Sequence, residues 1–163
     1  MATIRKAKLG DVPNLLYLWK EFMEYHDEML IKQNPRLKPH LIKRKNAEII
    51  FKKFIKKNIR SKNSLVSIAE VNGKPAGYSL IYIKTNIPVF ELGKIGHISD
   101  LFVKKQYRGM KISSKFKNEG IIWFKKKRIK YISLQVYTDN KFAHSIYKKW
   151  GFFDYHIEMR RRI

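Results

Sequence analysis

The chain has 163 residues, enough for one domain with one core, and its hydrophobic content of 44% is ordinary for a globular protein. The absence of cysteine excludes disulfides, a thiol nucleophile and the usual zinc sites, so no metal site is predicted. No apolar run approaches the roughly 20 residues that span a bilayer, and the N-terminal residues lack the apolar segment of a signal peptide. We therefore expect a cytoplasmic protein with a single domain over residues 1–163, and no association with a membrane.

The charge is strongly positive, because 36 Lys and Arg residues against 13 Asp and Glu residues give a formal net charge of +23. An excess of this size makes nucleic acid a candidate partner. The basic residues are spread along the whole chain, however, and abundant Lys, Ile and Asn are expected of a protein encoded in A/T-rich DNA. This distribution favours a solvated surface over a dedicated groove for nucleic acid.

The first part of the chain predicts one strand followed by two helices. Alternating polar and apolar residues favour a strand over Thr3–Lys8. Asp11 is a good N-cap for an amphipathic helix that could run to about Met29. A second amphipathic helix, with lysines on its polar side, is predicted around Lys43–Lys57.

The rest of the chain predicts a hairpin, a central strand and two further helices. Asn72-Gly73 is a strong two-residue turn signal, because both positions tolerate positive φ. The predicted elements are strands over Leu65–Val71, Lys74–Ile83 and about Lys94–Val103, a helix over about Met110–Lys127, a strand over Tyr131–Tyr137, a short helix capped by Asp139 or Asn140 and ended by Gly151, and a last strand over Phe152–Met159. The order β, α, α, β, β, β, α, β, α, β predicts an α/β fold with a mixed sheet, helices on both faces, and parallel fourth and fifth strands.

The segment from Ile98 to Ser114 has the pattern of an apolar strand, a basic turn and the start of a helix. Gly109 would let the backbone approach a ligand closely, and the unpaired N–H groups of a helix start attract anions. The first turn of a helix normally favours an acidic residue, yet the first acid here is Glu119. The residues alone leave two interpretations open, a phosphate supplied by a ligand or a poorly capped helix.

Acidic residues are concentrated at the far end of the first predicted helix. Four of the 13 acids lie there, at Glu21, Glu24, Asp27 and Glu28. Three of them share one helix face, since residues three and four apart are neighbours. This patch is either a solvated surface or an attractive site for a cationic substrate.

Two short motifs stand in the second half of the chain. The first is Gln106-Tyr107-Arg108-Gly109-Met110-Lys111, and the second is Asn140, Ala143 and Ser145-Ile146-Tyr147-Lys148-Lys149-Trp150-Gly151-Phe152. Together with the element order, they resemble the GNAT superfamily of N-acetyltransferases over nearly the whole chain. The first motif is similar to the family's acetyl-CoA loop: Gln or Arg, two residues, Gly, one residue, then Gly or Ala. Lys111 departs from it, because the family has a small residue there.

The resemblance implies an enzyme that uses acetyl-CoA. The backbone of Leu101 and Val103 would hold the pantetheine arm like an added strand, and the amides from Arg108 to Ser114 would hold the pyrophosphate. Lys111 would either add a charge contact or crowd the loop. The implied cofactor residues are Leu101, Phe102, Val103, Arg108, Gly109, Met110, Lys111, Ile112, Ser113, Ser114 and Asn140.

The resemblance also implies direct attack of a neutral amine on the thioester, in a ternary complex. Tyr147 would be the general acid for the leaving thiolate, although without the family it is better explained as a core aromatic. His97, which titrates near 6.5 in model peptides, is a candidate base and shares a predicted strand face with Ser99. Asp100, on the alternate face, resembles an acidic position common in the family.

The acceptor is expected to be a primary amine, either a small cationic molecule or a lysine side chain of a protein. Residues that could line its side of the site are Glu21, Glu24, Tyr25, His26 and Ser99. One alternative acceptor is a protein N-terminus, and another function is a basic nucleic-acid-binding module on a degenerate transferase fold. A homodimer could form if the predicted edge strand Phe152–Met159 paired between subunits.

Overall fold

The computed structural model describes residues 1–163 and contains five strands and five helices. In chain order these are β1 Ala2–Lys6, α1 Val12–Gln33, α2 Lys38–Leu41, α3 Ala47–Arg60, β2 Ser64–Val71, β3 Lys74–Thr85, β4 Lys94–Val103, α4 Ile112–Lys126, β5 Ile132–Leu134 and α5 Lys141–Lys149. The predicted order is confirmed except for the additional short helix α2 and the missing last strand. None of the helices has both the length and the apolar character needed to cross a membrane.

The five strands form one mixed sheet in the order β1-β2-β3-β4-β5. The first three pairs are antiparallel, while β4 and β5 are parallel, as the sequence predicts. The hairpin between β2 and β3 turns at Asn72 (φ +50°) and Gly73 (φ +71°), the two positive φ values that a two-residue turn of this kind requires. Helices cover both sides of the sheet, which confirms the predicted fold class.

Two apolar layers hold the helices on the sheet. On one face α1 and α3 pack against β2, β3 and β4 through Leu15, Leu18, Phe51, Ile55, Val66, Ile68, Tyr78, Leu80 and Phe102. On the other face α4 packs through Ile112, Phe116 and Phe124 against Ala69, Ala76 and Ile81. The buried stripe of α4 recurs every four residues, which is why the sequence pattern located this helix.

The start of α1 departs from the prediction for Asp11. The residue has helical backbone angles, and its carboxylate does not cap α1 but accepts the Lys8 N–H at 2.7 Å. It also accepts a hydrogen bond from each Nη group of Arg5 at 2.8 Å, and Arg5 donates to Glu70 at 2.7 Å. The Arg5 guanidinium lowers the pKa of Asp11 and joins β1 to β2 and to the approach of α1.

The prediction of a last strand over Phe152–Met159 is wrong. Residues 152–163 form neither helix nor strand, and the alternating apolar side chains from Phe153 to Met159 are 68–90% exposed. Alternation specifies a strand only where an edge pairs with it and a core covers one face. Here β5 has only three residues, against seven predicted, and Asp154 is instead paired with His144 at 2.6 Å and Lys148 at 3.2 Å. The edge strand on which the homodimer was predicted is therefore absent.

Candidate active site

A bulge in β4 decides which side chains face the α1 side of the sheet. Opposite β4, Leu80 pairs with Asp100 while Ile81 pairs with Ile98, so Ser99 is the extra residue. Strict alternation predicts His97 and Asp100 on opposite faces, but the bulge places both on the face covered by α1. The predicted placement of Asp100 is therefore wrong.

β4 and β5 separate at the same place. They pair only from Gly96 to Ile98 on β4, opposite Ile132–Leu134. From the bulge to Val103, β4 has no neighbour on that side, so this edge can accept an added extended chain. This arrangement fits the implied role of Leu101 and Val103 toward a pantetheine arm.

The loop between β4 and α4 presents a row of unpaired amides. Gly109 has φ +85° and Lys111 has φ +58°, and α4 begins at Ile112, two residues later than predicted. The Arg108 N–H, which the resemblance included, donates to the Lys105 carbonyl at 3.2 Å and is not available. None of the backbone N–H groups from Gly109 to Ser114 donates a hydrogen bond within the protein, and Lys115 N–H is the first to bond, to the Lys111 carbonyl at 3.0 Å. No protein carboxylate lies in the first turn of α4. Such a row fits a pyrophosphate, which would accept from these donors.

Two cations of this loop, both before Gly109, attach it to α1. Lys104 Nζ lies 3.1 Å from both the Glu21 carboxylate and the Tyr17 hydroxyl. Arg108 donates to the Tyr25 hydroxyl at 3.1 Å, with its guanidinium 4.4 Å from the centre of the Tyr25 ring. The Glu21 charge is thus compensated by Lys104, which reduces the acidic patch predicted for a cationic acceptor.

The other acceptor-side candidates on α1 are divided between solvent and packing. Glu24 is exposed and forms no ion pair. His26 packs against Phe22 and Tyr137, with ring centres 5.4 Å apart in each case, and burial lowers its pKa. His26 therefore connects α1 to the segment that follows β5.

His97 is buried, with 8% of its surface exposed. Its Nδ1 lies 3.0 Å from Ser133 Oγ, whose own proton points to the Gly96 carbonyl at 3.3 Å. With this hydroxyl orientation Ser133 accepts from Nδ1–H, which is the tautomer that leaves the His97 lone pair on Nε2. Burial, with a smaller contribution from Lys84, lowers the pKa of His97 to about 4. The prediction that this residue titrates near neutrality is wrong, because desolvation penalises the imidazolium.

Asp100 accepts two hydrogen bonds from neighbouring hydroxyls. Tyr78 donates to one carboxylate oxygen at 2.7 Å and Ser99 to the other at 3.0 Å. Burial raises the pKa of Asp100, although both hydrogen bonds oppose the shift. Sequence reasoning missed Tyr78 and Tyr82, whose ring centre lies 5.2 Å from that of His97. Both lie on the strand paired with β4, an even number of residues apart, and this spacing could have predicted that they share one sheet face.

The second motif forms α5. Asn140 Oδ1 accepts the Ala143 N–H at 3.1 Å, so Asn140 rather than Asp139 caps this helix. Tyr147 lies in its last turns, half-buried, with its ring edge-on to those of Trp150 and Phe152. Its hydroxyl makes no hydrogen bond within the protein, and burial raises its pKa. No direct contact joins Tyr147 to His97 or Asp100.

The sequence pattern of the acetyltransferase (GNAT) family matches residues 18–152, which include both motifs. The chain belongs to this family. The predicted dependence on acetyl-CoA and the predicted class, an acyltransferase, are those of the family and are confirmed at that level.

Individual relatives agree with the family assignment. An uncharacterised N-acetyltransferase of Methanocaldococcus jannaschii is 28% identical over 151 residues, covering 92% of this chain and 60% of that protein. The chain thus spans about 60% of the length of this curated relative.

Solved structures share the fold. A mutant form of a Bacillus halodurans protein has a TM-score of 0.80 at 23% identity, with 99% of each chain covered. A predicted acetyltransferase from Clostridium acetobutylicum, solved with acetyl-CoA, has a TM-score of 0.75 at 19% identity and covers 99% of this GNAT chain and 96% of its own.

Proposed function

We propose that this GNAT protein is an N-acetyltransferase that transfers the acetyl group of acetyl-CoA to a primary amine. The observation that carries the proposal is the row of unpaired amides from Gly109 to Ser114 beside the open edge of β4. The loop amides are donors that the protein itself does not use, and unpaired backbone groups normally find a partner. At the open edge of β4 the Val103 carbonyl accepts from Arg108 Nε at 3.4 Å, a contact that the bound arm would replace. A diphosphate joined to an extended amide-containing arm matches these two features: the diphosphate suits the loop amides, and the arm suits the open edge of β4 beside them.

In the proposed complex each part of the site has one task. The amides of the loop bind the pyrophosphate, and the open edge between the bulge and Val103 pairs with the pantetheine arm. Asn140 Oδ1 is occupied by the helix cap, so its side-chain NH₂ is the group left to contact the cofactor. When bound, acetyl-CoA supplies an activated acetyl thioester. The side chain of Lys111 is exposed and forms no ion pair, which supports its availability to a phosphate.

Tyr147 is proposed to donate the proton that the departing thiolate needs. The raised pKa of Tyr147 keeps the phenol protonated at neutral pH, and a hydroxyl without a protein partner can be directed to a ligand. General acid catalysis of this kind contributes on the order of 10²- to 10⁴-fold.

The amine must lose a proton before or during attack, and two groups on one face of β4 are proposed to receive it. His97 offers the lone pair of Nε2 and is neutral over the whole physiological range. Asp100 offers a carboxylate whose pKa is raised by burial, which makes it a stronger base than an exposed Asp. The β4 bulge supports the involvement of both, since it turns them to the same side of the sheet.

The acceptor is proposed to be a small cationic amine or a lysine side chain. The exposed carboxylate of Glu24 supports this class, because it lies one turn from Glu21 and next to Tyr25, which both contact the cofactor loop. Ser99, at the bulge, donates to the Asp100 carboxylate, which supports a place for it beside that group.

Calorimetric titration with CoA and acetyl-CoA tests the cofactor, and thiol release across a panel of primary amines tests transfer. We expect both ligands to bind and thiol release to depend on an amine. A Gly109→Val variant is the control, because a branched side chain disfavours φ +85° and should weaken binding. Failure of the wild-type protein to bind either ligand would contradict the proposal.

A further inference from the structure

Four basic side chains on the outward side of α3 line one open concavity. These are Lys53, Lys56, Lys57 and Arg60, which together with Ser61 surround about 510 Å³ and include no apolar lining residue. We propose that this surface, the α3 basic face, binds the phosphate backbone of a nucleic acid. The proposal is independent of the transferase activity.

The spacing of the four cations places them together. They stand at i, i+3, i+4 and i+7, which are neighbouring positions on one side of a helix. The opposite side of α3 is buried through Phe51, Ile55 and Asn58. With a rise of 1.5 Å per residue, the set spans roughly 10 Å, the length of about three phosphates at 3.4 Å each.

The charge of this face is not compensated within the protein. Six of the 36 Lys and Arg side chains pair with a carboxylate, and none of the four cations is among them. The one acid of α3, Glu48, is paired with Lys20 at 2.7 Å. Like charges three and four residues apart destabilise a helix, so the α3 basic face carries a repulsion that a polyanion would relieve.

The other dense basic run of the chain lacks this geometry. Lys125, Lys126, Lys127 and Arg128 are consecutive, so their side chains point in directions about 100° apart. They also close α4, where cations are favoured by the negative end of the helix dipole. Lys57 and Arg60 also lie in the last turn of their helix, but Lys53 and Lys56 do not. The α4 run is therefore a control of equal charge and different geometry.

The α3 basic face is separate from the candidate active site. Helix α1 lies between them, contacting the cofactor loop through Tyr17 and Tyr25 and α3 through Trp19 and Lys20. A nucleic acid on α3 would therefore leave the cofactor loop free. Among anionic partners, a membrane would require apolar side chains among the cations. The concavity itself has none, but Ile49 and Ile50, one turn earlier, are 57% and 45% exposed, so binding to vesicles is measured as the competing outcome.

The test compares two triple variants with equal loss of charge, K53Q/K56Q/K57Q and K125Q/K126Q/K127Q. Binding of a fluorescent 15-nucleotide single-stranded RNA, and of the matching duplex, is measured by anisotropy from 50 to 300 mM NaCl. For the single strand, log K falls linearly as log [NaCl] rises. In the α3 variant this slope should be shallower by about 2, since each of the three lost phosphate contacts removes about 0.7. The α4 variant should keep nearly the wild-type slope, and K53R/K56R/K57R should keep both slope and affinity.

Three results would overturn the proposal. The first is failure of the wild-type protein to bind either RNA at 50 mM NaCl. The second is an equal loss of affinity in the two glutamine variants, which would mean that only net charge matters. The third is that the protein binds vesicles of phosphatidylglycerol and phosphatidylcholine, more weakly in the α3 variant, and does not bind RNA. That result would assign the face to a membrane. Far-ultraviolet circular dichroism of each variant, and unchanged calorimetry with CoA, verify that the fold and the cofactor site are intact.

Discussion

Tyr147 is half-buried on α5, and its hydroxyl has no partner in the protein. We predict that Tyr147→Phe lowers kcat by about 100-fold, the lower end of what a general acid contributes, because only the proton donor is lost. The dissociation constant of CoA, measured by calorimetry, should change by less than about twofold. Equal turnover of the two proteins with the same amine would remove Tyr147 from the acid role.

His97 has a pKa lowered to about 4, so it is neutral at any pH well above that value. If it receives the amine proton, the acid limb of the kcat/KM profile should centre near pH 4, and His97→Ala should remove that limb. Fixed-pH assays with a single amine between pH 3 and 8 measure it. A limb near pH 6.5, unchanged in the variant, would show that another group controls the rate.

The same shift links His97 to stability. Between about pH 6.5 and pH 4 the unfolded chain holds a proton on this residue that the folded chain does not, so the free energy of unfolding falls as the pH falls. The loss approaches about 3 kcal/mol from the shift alone. Urea titrations should give a shallower decline for His97→Gln, and His26, whose pKa is lowered as well, should account for part of what remains.

Lys111 precedes α4 with φ +58° and ψ +19°, a left-handed conformation that costs a non-glycine residue roughly 1–2 kcal/mol. We predict that Lys111→Gly raises the free energy of unfolding by about 1 kcal/mol, measured by urea titration. Lys111→Ala removes the charge but keeps a Cβ, and should not stabilise. Weaker CoA binding in both variants would assign the side chain a contact with the phosphates.

At the scale of elements, α5 depends on its N-cap residue. Asn140 caps the helix through Ala143 N–H, and we predict that Asn140→Ala lowers the free energy of unfolding by about 1 kcal/mol. Asn140→Ser restores a capping oxygen but lacks the NH₂ group, so it should recover stability without recovering CoA affinity. If Asn140→Ser recovered both the stability and the CoA affinity, the role of Asn140 would be helix capping alone.

Elements were predictable where the signal lies within a few neighbouring residues. The turn at Asn72-Gly73 needs only two residues that tolerate positive φ, and the stripe of α4 needs only its own periodicity. The strand over Phe152–Met159 has an equally regular pattern, yet it does not form, because a strand also needs an edge to pair with. The β4 bulge could not be predicted from the alternation of polar and apolar residues.

At the scale of the molecule, the net charge of +23 sets the long-range electrostatics. Self-repulsion opposes the compact state, and salt screens it over about 10 Å at 0.1 M. We predict that Tm rises by several degrees between 20 and 300 mM NaCl, since about 1 kcal/mol corresponds to 2–4 °C for a chain of this size. A Tm that falls with salt would mean that attractive pairs such as Arg5 with Asp11 and Glu70 outweigh the repulsion.

The sequence by itself determined the hairpin, the parallel pair, the loop with Gly109 and every helix except α2, because periodicity, turn chemistry and motif spacing act over short distances. Only the tertiary structure decided that His97 and Asp100 share a face, that Lys104 compensates Glu21, and that His97 stays neutral. Each of these depends on groups distant in the chain: a strand partner that reveals the bulge, a helix that meets a loop, and the burial that penalises a charge.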